Sequence, residues 1–293
     1  MTLASGGGTG SVRQPAVLFA RHEFFQAGSI KPLGLPQGWG QDMLSTDELN
    51  NGYWGSRRIA GVLPETSITH PDQFTGGDAL ILACTQTHLP ASEQRKLVKA
   101  WCALLPQLQL KTLIFSTKVN QELFDAATQI KGLHALSIKW SSIKSIASIT
   151  DTDSLAALDI GSSPSMTGLG HLAKLPRLRS LRVENVKEAH DLAFVESLTD
   201  LEEFGASGSM WTDLKIDSLW PLKDMHNLEL LWLVGAKVLK DGLLPLHGLP
   251  RLTTLHCAYN FRASEFAALR AATPSLRFGS PFEHELIEKY CRD

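Results

Sequence analysis

Between residues 110 and 257 apolar positions recur in one fixed phrase: a leucine, two variable residues, an apolar residue, one variable residue, then a second apolar residue. It appears as Leu110-x-x-Leu113-x-Phe115, Leu133-x-x-Leu136-x-Ile138, Leu155-x-x-Leu158-x-Ile160 and Leu178-x-x-Leu181-x-Val183. It continues as Leu201-x-x-Phe204-x-Ala206, Leu228-x-x-Leu231-x-Leu233 and Leu252-x-x-Leu255-x-Cys257, with leading leucines 23, 22, 23, 23, 27 and 24 residues apart. The last two apolar positions of each phrase alternate with period two and predict a short strand. Ahead of the strands the ladder steps by three, as in Leu169, Leu172, Leu175, Leu178, Leu181 and in Leu243, Leu246, Leu249, Leu252, Leu255. Three is the 3₁₀ period, so each unit predicts a strand, a turn and a tight helical turn. The outer units differ: Gln121 to Gln129 and Ser264 to Ala272 read as α-helices. Ser280 to Asp293 reads as a closing helix with Phe282, Leu286, Ile287 and Tyr290 on its apolar side.

A repeat of this length is a supersecondary unit that buries its apolar face only by stacking on its neighbours. The phrase resembles the leucine-rich repeat, and the three-residue ladder is similar to the short-repeat, bacterial-like, cytosolic type, over about residues 108 to 278. The resemblance implies an α/β fold: a right-handed solenoid with a parallel sheet on the concave side and 3₁₀ or α turns on the convex side. The family's turn position, often Asn, holds Lys118, Ser141, Ser163, Val186, Ser209, Ala236 and Asn260 here, and the three serines can bond turn backbone in its place.

Upstream, residues 78–107 predict an oversized first repeat. Its strand is Ala79 to Ala83, and its helix runs from Ser92, as cap, to Leu105 with Leu97, Val98, Trp101, Leu104 and Leu105 at helical spacing. Residues 15–77 are crowded with Gly, Pro and Asn between short apolar pieces and predict an irregular N-terminal cap. Residues 1–14 hold almost nothing to bury and predict a disordered tail. The expected organisation is tail (1–14), cap (15–77), solenoid (78–279) and C-terminal capping helix (280–293).

Composition narrows the function class. A formal charge of −2 with interleaved signs argues against a non-specific nucleic-acid binder. No run approaches the ~18 apolar residues that span a bilayer. Residues 1–20 lack the charged start and apolar stretch of a signal peptide, and the four cysteines have no paired spacing, so a cytoplasmic protein with neither disulfides nor a zinc site is expected. Chemistry-bearing motifs are sparse. The Gly6-Gly7-Gly8-Thr9-Gly10 run lacks the Lys-Ser/Thr ending of a phosphate loop, and His284-Glu285-Leu286-Ile287-Glu288 lacks the second histidine of a zinc helix. No enzyme, cofactor or metal site is expected from these.

Binding residues are therefore sought among side chains that point away from the leucine core. Between the two anchors of each strand stand Ile114, Ser137, Asp159, Arg182, Gly205, Trp232 and His256. Leu230, Trp232 and Val234 would place three apolar side chains in a row on that face, either gripping a partner or lying under another part of the chain. Lys139, Asp159, Arg182 and Glu184 make a mixed-charge area beside it, which a solvated strand face also explains. Trp140, Trp211 and Tyr259 follow strands and would stand at the rim as anchors, although packing under a loop serves Trp211 equally well. Trp39, Tyr53, Trp54, Arg57 and Arg58 either contact a partner or form the core of the N-terminal cap. The expected function is non-enzymatic protein binding through the concave face. By family resemblance this extends to an immunity protein masking a bacterial toxin. The alternatives are an effector or adaptor in a host or signalling complex, and an enzyme with its site in residues 15–77.

Overall fold

A computed structural model of the chain describes residues 64–291; the expected tail, most of the irregular region and the group at Trp39, Tyr53, Trp54, Arg57 and Arg58 lie outside the described residues. Eleven strands are described: β1 (Ala79–Leu82), β2 (Thr112–Val119), β3 (Ala135–Ser141), β4 (Ala157–Ser162), β5 (Ser180–Glu184), β6 (Glu203–Ser207), β7 (Leu214–Ile216), β8 (Leu230–Leu233), β9 (Ala236–Val238), β10 (Thr254–Cys257) and β11 (Phe278–Gly279). Nine form one parallel sheet in the order β1-β2-β3-β4-β5-β6-β8-β10-β11. The repeated phrase is thus a leucine-rich solenoid, one strand per phrase.

Register explains why the phrase is so strict. The first anchors Leu80, Leu113, Leu136, Leu158, Leu181, Phe204, Leu231 and Leu255 are cross-strand partners in one unbroken column. The second anchors and the leading leucines are buried alongside them, with Leu133, Leu155, Leu201, Leu228 and Leu252 inaccessible to solvent. Burial of each such side chain stabilises the fold by ~1.5–3 kcal/mol. The backbone repeats the same device. The carbonyls of Asp78, Lys111, His134, Ala156, Arg179, Glu202, Glu229 and Thr253 each accept two successive N–H groups of the next repeat, at 2.7–3.1 Å.

Behind the sheet the three-residue ladder forms 3₁₀ turns at Ala147–Asp151, Leu169–Lys174, Ala193–Val195, Trp220–Leu222 and Leu244–Leu246, as its spacing predicts. Among the described residues four α-helices stand nearer the ends of the sheet: α1 (Ala91–Leu104), α2 (Gln121–Ala127), α3 (Ala263–Ala272) and α4 (His284–Tyr290). Helix α1 begins just after Pro90, so Ser92 lies inside its first turn and is not the cap. Asn120 caps α2, its side chain accepting from the Leu123 N–H at 3.0 Å. The closing helix is shorter than expected because Ser280–Phe282, with Pro281 inside it, forms a separate 3₁₀ turn; Ile287 is its buried residue.

Serine replaces much of an asparagine ladder in the turns. The Ser163 hydroxyl donates to the Gly161 carbonyl at 2.7 Å and, its hydrogen so committed, accepts from the Ser141 hydroxyl at 2.7 Å. Ser141 in turn accepts from the Ile143 N–H, and Ser209 from the N–H groups of Trp211 and Thr212. The longest repeat departs from a simple loop. Its extra residues carry β7, which pairs with β9 as a separate two-stranded parallel sheet, a feature whose three-residue strands leave too short an alternation to read.

Both edges of the main sheet are short. Ile68 makes a single bridge to β1, with its N–H on Ile81 and its carbonyl holding the Ala83 N–H, each at 2.9 Å. Trp101 of α1 is fully buried over that edge and donates its indole N–H to the Thr69 carbonyl at 2.8 Å. At the far side β11 is only two residues long, which limits edge-to-edge pairing.

Leu181→Ala is expected to destabilise the protein by ~2–5 kcal/mol through a core cavity. Ser163→Ala should cost ~1–3 kcal/mol by removing the buried hydrogen bonds to the Gly161 carbonyl and the Ser141 hydroxyl. Denaturant melts of the two variants check both values.

Candidate functional site

The outer face of the sheet, opposite the leucine columns, carries one central row in cross-strand register: Ile114, Ser137, Asp159, Arg182, Gly205, Trp232 and His256. Period-two alternation puts these side chains on that face because the residues on either side of them point into the core. Arg182 and Trp232 stand two strands apart, yet the guanidinium carbon lies 5.9 Å from the Trp232 ring centroid. Gly205 makes that approach possible. A Cβ there would lie 3.1 Å from Arg182 Cγ and 3.4 Å from Trp232 Cβ, tight enough to push the two side chains apart. Trp232 in turn meets His256, ring centroids 4.8 Å apart and tilted by 52°. Arginine, tryptophan and histidine thus form a continuous stack across β5, β8 and β10.

The other half of the row is polar. Arg182 Nε donates to Glu203 Oε1 at 2.7 Å and a terminal guanidinium nitrogen contacts the same oxygen, while the Ser180 hydroxyl donates to Glu203 Oε2 at 3.0 Å. Glu203 and Ser180 are buried. Asp159 Oδ2 accepts from the Ser137 hydroxyl at 3.0 Å. Burial pushes the Asp159 carboxyl above the usual carboxylate range. The Arg182 charge and the Ser137 hydrogen bond pull it down, and the Glu203 charge pushes it up.

The expected site residues do not form one cluster. Asp159, Arg182, Trp232 and His256 come together in the central row. Lys139 and Trp140 form a second group near the rim, the Lys139 ammonium 5.6 Å from the Trp140 ring and the Trp140 indole N–H donating to Gln86 at 2.7 Å. Glu184 and Val234 are partly buried one step beyond the second anchors of β5 and β8. Trp211 stands by itself, 70% exposed on the loop between β6 and β7, and is not packed beneath it.

Two residues are corrected. Leu230 is only 8% exposed, so the expected strip of three apolar side chains reduces to Trp232 and Val234. The cause is its position one step before the first anchor, where Thr112, Ala135, Ala157, Ser180, Glu203, Leu230 and Thr254 make a closed row, every member buried. Tyr259 is buried too and is not a rim anchor. Its ring packs beside Phe266 and Tyr290, and its hydroxyl donates to Glu283, tying β10 to the closing helix. Cys257 is buried, and burial pushes its thiol well up, away from reactivity. Among the described residues no group of three or more metal-ligating side chains is brought together.

Gly205, Glu203 and Ser180 were not among the expected site residues. The signal for Gly205 was present, since it is the one glycine in the outward row. Glu203 and Ser180 become recognisable only once strand register places them together beside Arg182.

Because the folded-state pKa of Asp159 is raised, ionising it opposes folding. Its effect is absent below the unfolded carboxylate value and grows as pH climbs toward the folded pKa. Asp159→Asn, which keeps an acceptor for Ser137, is therefore expected to raise the melting temperature at neutral pH and to leave it unchanged at the acid end. Thermal melts of both proteins across pH measure this.

No family model and no curated protein sequence matches the chain. Among solved structures it is similar to an internalin from Listeria monocytogenes, with 16% identity and a TM-score of 0.38 over 62% of this chain; the match spans 60% of that protein's length. It is also similar to internalin C2 of the same species, with 16% identity and a TM-score of 0.36, covering 56% of this chain and 76% of the other. The chain's own register and repeated phrase define it as a leucine-rich repeat solenoid.

Proposed function

We propose that this is a binding protein that holds a protein partner on the outer face of its main sheet. The observation that carries this reading is the Arg182–Trp232–His256 stack. None of the three packs into the leucine core, all are partly exposed, and a glycine lies between the first two, where a Cβ would press on both side chains. Tryptophan and arginine dominate binding hot spots because they bury large areas and still make directed polar contacts. A rigid sheet presents them without the entropy cost of ordering loops. The rim tryptophans Trp140 and Trp211, both exposed, are available to extend the contact beyond the row.

A narrower reading, an immunity protein in the cytoplasm whose partner is a toxin, is compatible with this face and rests on the family resemblance alone. The described residues contain no helix long and apolar enough to cross a membrane.

Trp232→Ala is expected to weaken the partner complex by ~2 kcal/mol or more while changing the melting temperature little. Affinity capture from the native lysate identifies the partner, and calorimetry with the purified pair measures the loss. Unchanged affinity in a folded variant would remove the outer face from the interface.

A further inference from the structure

Gln86, on the loop between β1 and α1, holds a backbone conformation that its residue type rarely adopts: its φ is +53°, in the left-handed region. Its side-chain oxygen accepts from donors on two different repeats, the Lys118 N–H of β2 at 3.2 Å and the Trp140 indole N–H of β3 at 2.7 Å. The adjacent Thr85 hydroxyl donates to the Lys118 carbonyl at 2.5 Å, which ties the loop to the same residue of β2. A second irregularity meets the first. β2 and β3 run in step from Thr112 to Phe115, and the register then shifts so that Lys118, and not Thr117, stands opposite Trp140. Such a bulge is rare in a parallel pair and re-aims the side chains beside it. Gln86, Lys118 and Trp140 are exposed, so water competes for both bonds to Gln86 and they offset little of the backbone strain. Strain of this kind collects at ligand clamps.

What the clamp holds is Trp140. Its side chain is 42% exposed, its one donor is committed to Gln86, and the Lys139 ammonium lies 5.6 Å from its ring centroid. A ligand that meets this ring finds no hydrogen to accept and a π system that already carries a cation, which repels another. The apolar area of the ring is what remains on offer. We infer that Gln86 is a positioning residue, which holds Trp140 at the rim to receive an aliphatic side chain of the protein partner. This rests on the partner-binding reading proposed above and names the partner's chemistry at the rim. An indole that turned freely would lose that freedom on docking, whereas a pinned one has none left to lose. Gln86 therefore acts by lowering the ordering cost, without touching the partner. The group it contributes is an acceptor, so glutamate can replace it and alanine cannot.

The test uses the full-length chain and random-sequence peptides displayed on phage. Peptides retained by the wild type and lost by Trp140→Ala are rim binders. The inference expects each to carry a leucine, isoleucine, valine or methionine whose replacement by serine lowers affinity about tenfold, as for a hot-spot contact. Gln86→Ala should weaken the same peptides by a comparable factor, and Gln86→Glu should restore most of the loss. In heteronuclear NMR spectra, with the Trp140 indole signal assigned through Trp140→Phe, Gln86→Ala should shift and mobilise that signal and Gln86→Glu should leave it ordered. Melting temperatures establish that the variants are folded. Rim binders indifferent to Gln86→Ala, rim binders that depend on a basic or polar residue, or an indole signal unmoved by Gln86→Ala would overturn the inference and leave the partner-binding reading intact. Peptides that depend on Trp232 with none that depend on Trp140 would do the same. Peptides that depend on neither tryptophan would overturn both.

Discussion

Strand register is the constraint on which the rest of this molecule depends. A slip of one residue would turn every anchor from the leucine columns to the outer face and every outer residue into the core. Two independent devices hold the register. Apolar columns run through the first and second anchors of successive strands, and at the start of each strand a single carbonyl binds two N–H groups of the next repeat. Neither depends on contacts distant in sequence. The stacking of near neighbours is therefore sufficient to build the sheet, and the outer row of side chains is aligned as a by-product.

That alignment turns residues scattered along the sequence into a surface with a direction. Ser137 and Asp159 lie at one side, Arg182 and Glu203 in the middle, and Trp232 with His256 at the other. The row changes from polar and acidic to aromatic across six strands. Gly205 sits at the change, where the absence of a side chain joins the two parts instead of interrupting them.

The repeating part of the fold was legible because its signal is periodic: Leu181 or Leu231 can be assigned to the core from spacing alone. The turns were legible in part. Ser141, Ser163 and Ser209 bond backbone as their chemistry suggests, whereas Ser92 looked like a helix cap and lost that position to Pro90, two residues earlier. Strands β7 and β9 escaped notice because three residues hold too little alternation to distinguish a strand from a loop. In the candidate site, identity and facing were readable for Asp159, Arg182, Trp232 and His256. Depth was not. Leu230 and Tyr259 are buried although their spacing points them outward, and pairing preferences such as that of Arg182 for Glu203 over Asp159 exist only in three dimensions.

The doubled carbonyl at each strand start also governs how such a chain can change in length. Each repeat receives two bonds from the unit before it and offers the same pair to the unit after it, so a complete unit can be duplicated or lost with every bond restored across the new junction. A partial unit cannot. Changes smaller than a repeat must fall beyond the strands, as between β6 and β8, where the chain runs through residues 208–213 and β7 before rejoining the common frame. Growth by whole units would lengthen the outer row one residue at a time, leaving the established positions undisturbed.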